Sequence, residues 1–115
     1  MKTLAIFPLI LAVVLVGCGK RQTTRISDVT KPATLTLTPA LGQGTNVHGL
    51  WFRIRGKTDG LADIWGTDLH TNRVGGRFEM KRSGEYYSPK CVIEYRPVGV
   101  RTGQISIEYE FGCVD

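Results

Sequence analysis

Apolar and polar residues alternate along most of this chain with a period of two, the pattern of strands that pack on one face. Residues 33–38 alternate Leu with Thr and stop at Pro39, which reads as a short strand, and 41–46 read as a loop. In 47–55, Leu50, Phe52 and Ile54 share one face while Trp51, Arg53 and Arg55 take the other. Gly-rich residues 56–60 read as a turn, 61–65 as a strand and 66–72 as a loop. Alternation returns in 73–82, with Val74, Gly76, Phe78 and Met80 inward and Arg77, Glu79 and Lys81 outward.

Ser83-Gly84 has the spacing of a two-residue hairpin leading into a strand over 85–96, which sets Met80 opposite Tyr87. The last strand puts Ile105, Ile107, Tyr109, Phe111 and Cys113 on one face. A turn at 101–103 gives a final hairpin with Tyr95 opposite Tyr109, Ile93 opposite Phe111 and Cys91 opposite Cys113. That register sets Glu94 against Glu110, an unfavourable like-charge pair. Six short strands, glycine-rich turns and no sustained helical period predict an all-β fold, a small antiparallel β-sandwich or barrel.

Ahead of this pattern lies an apolar run over residues 4–16, preceded by Lys2. It is too short for a membrane span, which needs about 20 apolar residues, and Pro8 interrupts it. It has the make-up of an export signal. The run closes on Leu15-Val16-Gly17-Cys18, which resembles the lipobox of bacterial lipoproteins. The resemblance covers the signal and lipobox alone, with no family recognised for residues 33–115. It implies cleavage before Cys18, acylation of the cysteine (palmitate being the label to follow) and attachment to the cell envelope. Gly19 follows the cysteine where inner-membrane lipoproteins tend to carry Asp, which favours the periplasmic face of the outer membrane. The expected organisation is a signal peptide over 1–17, a lipidated flexible tether over 18–32 and a β-domain over 33–115. The tether is assigned from its polar, basic composition without apolar period.

Export makes the compartment oxidising, and with Cys18 taken by lipid, Cys91 and Cys113 remain as an even pair, expected as one disulfide. The formal net charge of +5 is concentrated near the tether, so basicity suggests attraction to anionic head groups rather than nucleic acid. No metal is expected, since His48 and His70 lack ligand spacing and no Cys-x-x-Cys occurs. Asp59, Asp63 and Asp68 read as solvated turn carboxylates. There is no nucleophile elbow, no cofactor motif and no evident small-molecule substrate, so no enzyme is expected.

Binding is the function the residues favour. Trp51, Arg53 and Arg55 form one stripe that Arg77 and Lys81 widen, and Trp and Arg are the residue types that dominate interface energetics. The competing reading makes Trp51 core and the arginines solubilising charges. The expectation is a membrane-anchored, non-catalytic module that binds another envelope protein. Alternatives are a phage- or plasmid-encoded exclusion lipoprotein that occludes a receptor, or an inhibitor of a periplasmic lysozyme or protease using 66–75 or 98–103 as an inserted loop.

Overall fold

In the computed structural model, which describes residues 20–41 and 46–113, six strands and no helix are seen. They are β1 (Arg21–Arg25), β2 (Ala33–Leu37), β3 (Val47–Gly66), β4 (Leu69–Glu85), β5 (Cys91–Pro97) and β6 (Gly103–Cys113). All pairings are antiparallel, in the order β1-β6-β3-β5-β2, with β4 on the other side of β3. The sheet curls into a half-barrel around one core.

The long strand β3 generates the curl. Its first half pairs with β6, from Val47 opposite Cys113 to Thr58 opposite Gly103. Its last residues pair with β5, from Ala62 opposite Pro97 to Gly66 opposite Ile93. Between them, residues 59–61 bulge, because Thr58 faces Gly76 on β4 and Ala62 already faces Val74. Extra residues on one strand bend it and sharpen its twist, and here the bend hands β3 from one neighbour to another. The backbone of residues 98–99 packs into the bulge, with Val98 N–H donating to Leu61 O at 2.8 Å. A Cβ at Gly60 would lie 2.2 Å from Gly99 O, so only glycine lets that connection approach.

The core follows the alternation. Leu50, Phe52 and Ile54 meet Phe111, Tyr109 and Ile107 on one half, while Ile64 meets Tyr95 on the other, with Ala62 and Ile93 beside them, all buried. Phe78 and Met80 pack only partly, because β4 is an edge strand. Tyr95 Oη donates to Val29 O at 2.6 Å and so pins the β1–β2 connection, where Ile26 and Val29 are buried.

Several expectations are corrected. The segment read as a flexible tether carries β1 and two core residues. Its strand escapes a hydropathy scan because its inward positions are Gln22 and Thr24, at the edge of the sheet. The turn expected at 56–60 is continuous strand through Thr58 followed by the bulge at 59–61, so two expected strands are one. The loop at 66–72 is a two-residue turn, Thr67-Asp68, in which Asp68 takes the left-handed conformation at φ 59°. Ser83-Gly84 makes no hairpin, since β4 continues to Glu85 opposite Gly49. Most consequential, β5 and β6 are not partners, because β3 lies between them. The cross-strand register therefore fails, and Cys91 and Cys113 are not joined by a disulfide: Cys91 stands beside Leu37 and Cys113 beside Val47. Burial pushes the Cys91 thiol up, and its Sγ donates to Thr67 O at 3.8 Å. Residues 1–17 and Cys18 lie outside the described residues.

Candidate functional site

Because strand residues alternate faces, the registers of β1, β6, β3 and β4 arrange the outer surface in rows. The first row is Arg21, Glu110, Trp51 and Ser83; the second is Thr23, Glu108, Arg53 and Lys81. The third is Arg25, Ser106, Arg55 and Glu79, and the fourth is Gln104, Lys57 and Arg77. All five residues singled out in the sequence, Trp51, Arg53, Arg55, Arg77 and Lys81, fall on this one surface.

The structure then divides them. Trp51 is half-buried, with the Arg21 guanidinium over its ring at 4.3 Å and that of Arg53 at 5.8 Å. Arg53 Nη2 donates to Glu108 Oε1 at 2.5 Å, while its Nε is buried without a hydrogen-bond partner. This bond holds the Glu108 carboxyl below the usual carboxylate range and raises Arg53. Arg21 Nε reaches Glu110 Oε1 at 3.3 Å. The upper rows thus set an aromatic ring beside two cations that are each paired with a carboxylate. Lys81 pairs with Glu79 at 3.5 Å, and Arg55 approaches Glu108 only to 4.0 Å. Arg77 belongs to a different neighbourhood, the lower rows, where Lys57 stands directly opposite it.

A second aromatic cluster, on the outer face of the β2–β5–β3 half, is absent from the sequence reading. Arg96 lies over the Trp65 ring at 5.5 Å. Arg73 donates to both oxygens of Asp63, at 2.9 and 3.0 Å, and Arg96 Nη2 reaches the same carboxylate at 3.5 Å. Asp63 is 5% exposed, and the Arg73 hydrogen bonds hold its carboxyl well below the usual range. The three aspartates read as solvated turn carboxylates are each engaged. Asp59 accepts from the N–H groups of Arg101 and Thr102 at 2.8 and 3.1 Å, and Asp68 pairs with Arg82. Arg82 also donates to Leu50 O and Glu85 O, tying the β3–β4 turn to the end of the barrel.

At that end, Tyr86 Oη donates to Lys90 O at 2.5 Å, and burial beside Cys91 pushes its phenol up to about 12. His48 stacks edge-on with Tyr87 at 5.6 Å. Residues missed by sequence reasoning are Arg21 and Arg25, assigned to the tether, together with Lys57, Glu108 and Glu110. The β-branched pair Thr23-Thr24 followed by Ile26 and Val29 was the available signal for the first two.

No protein-family model matches the chain, and no curated protein does. Among solved structures, dimeric latent PorU from Porphyromonas gingivalis is similar at a TM-score of 0.47 and 9% identity, over 82% of this chain and 12% of that one. A de novo designed double-stranded β-helix is similar at 0.40 and 12% identity, over 80% and 97% of the two chains. A family two carbohydrate esterase from Cellvibrio japonicus follows at 0.39 and 13%, over 84% and 34%.

Proposed function

We propose that this chain is a lipid-anchored envelope protein, attached through Cys18 at the periplasmic face of the outer membrane, whose β-domain binds another envelope protein without catalysis. The observation that carries the binding reading is the half-buried ring of Trp51, with Arg21 over it and Arg53 close by, each paired with a glutamate, Glu110 and Glu108. Side chains already fixed lose little freedom when a partner arrives, so such a surface binds with more of its contact energy intact. Trp and Arg are also the side chains whose removal costs most at interfaces. An inhibitor that inserts a loop draws less support, since 66–75 is mostly strand and Asp59 ties down the 98–102 connection.

Two measurements test this. Cys18→Ser is expected to abolish incorporation of labelled palmitate, and retained label overturns the anchor. Crosslinking in intact cells is expected to recover an integral outer-membrane protein, with Trp51→Ala weakening capture by about 2 kcal/mol or more. Recovery of a muramidase would instead support inhibition, and wall degradation by the purified chain would overturn the non-catalytic reading.

A further inference from the structure

The lower rows of the same surface hold charge that the fold itself does not use. Lys57 stands opposite Arg77 on neighbouring strands, where like charges destabilise a sheet. Neither they nor Arg25 make an ion pair among the described residues. Arg55 has only the 4.0 Å approach to a glutamate whose closer partner is Arg53. These four cations line one groove over β1, β6, β3 and β4. Its two acids are drawn elsewhere, Asp59 to backbone N–H groups and Glu79 to Lys81. The cations are spread over a width of four strands, roughly 14 Å at the usual strand spacing. That spread suits a row of separate carboxylates better than one compact anion. Trp51 lies two rows away on the same face, within reach of the same partner.

Position separates the groove from the membrane. β1 enters at Arg21 and reaches the groove at Arg25, roughly 13 Å further along the strand. With the anchor proposed at Cys18, the groove would lie further along β1 from the lipid than the Trp51 row does.

We infer that this groove takes a carboxylate-rich segment of a protein partner, with Arg25, Arg55, Lys57 and Arg77 as its electrostatic contacts. The inference rests on the protein-binding reading above and adds the partner's chemistry. Arginine forks pair two-pronged with carboxylates, so the arginines orient the segment while Lys57 adds point charge.

The test uses the acylated chain in neutral phosphatidylcholine discs, titrated with a fluorescent glutamate-rich peptide and its glutamine counterpart. The glutamate peptide should bind and the glutamine peptide should not, and binding should weaken with salt. Lys57→Gln with Arg77→Gln should weaken binding about tenfold while leaving the fold as stable or more so. Lys90→Gln, at the other end of the domain, should leave it unchanged. Equal binding of both peptides, or undiminished binding by the double variant, overturns the inference. So does displacement of the peptide by an equal concentration of inorganic phosphate, or tighter binding to phosphatidylglycerol vesicles lost in the double variant. A cellular partner that Trp51→Ala releases and the double variant retains overturns the groove but not the binding module. A peptide held through Lys57 and Arg77 when cells yield no envelope partner leaves the groove and removes the module.

Discussion

Asp63 sits on the outer side of a sheet and yet is almost cut off from water, because Arg73 and Arg96 lie across it. Its carboxyl is held below the ordinary value near 4, chiefly by the Arg73 hydrogen bonds. A group depressed on folding stabilises the fold above its unfolded value, and that contribution fades as pH falls through the folded value. Asp63→Asn is therefore expected to lower the denaturant midpoint at neutral pH and to flatten its decline below about pH 4. An unchanged acid limb would show that the cluster is merely ornamental to stability. Nothing in the hydropathy pattern marks Asp63, since its partners stand 10 and 33 positions away. Trp51, Arg53 and Arg55 were legible as one stripe because strand alternation is local. Their division into closely and loosely paired cations was not, because Arg21, Glu108 and Glu110 arrive from other strands.

At the level of elements, the facing of side chains was readable and the joints were not. Leu50, Phe52, Ile54, Ile93, Tyr95, Ile105, Ile107, Tyr109 and Phe111 point inward as their alternation requires. Glycines misled in part, since Gly60 marks a place inside β3 where backbones touch, and Gly66, which closes β3, is also pressed against β5. A Cβ at Gly66 would fall 2.1 Å from Val92 O, within the β3–β5 pairing, whereas one at Gly112 would find its nearest neighbours at 3.8 Å. Gly66→Ala should cost about 1–3 kcal/mol in urea unfolding, and Gly112→Ala should fall within about 0.5 kcal/mol of wild type. Equal effects would mean that β5 does not press on β3 at that point. The hairpin drawn between 91–96 and 104–113 failed because sequence neighbours usually pair, and the bulge in β3 lets a third strand come between them.

For the whole molecule, the inclusion of β1 changes the most. Its outward residues Arg21, Thr23 and Arg25 complete three of the outer rows, supplying Arg21 to the Trp51 ring and Arg25 to the groove. Trypsin should therefore leave the bonds after Arg21 and Arg25 intact in the native protein and cut them once it is unfolded, as mass spectrometry of the fragments would show. Early cleavage there would restore the flexible segment that composition suggested. Polar edge strands of this kind leave little trace in a sequence, because their inward residues meet the core only at its margin.

The entry of β1 at Arg21, three positions after Cys18, sets a clearance. A fully stretched link of that length spans only about 10 Å. With the acyl chain proposed at Cys18, the domain would have almost no altitude and would patrol a thin layer rather than the width of the periplasm. On that proposal a companion would have to come down to meet it, either as a protein rooted in the same bilayer or as a soluble one presenting its acidic strip within that layer.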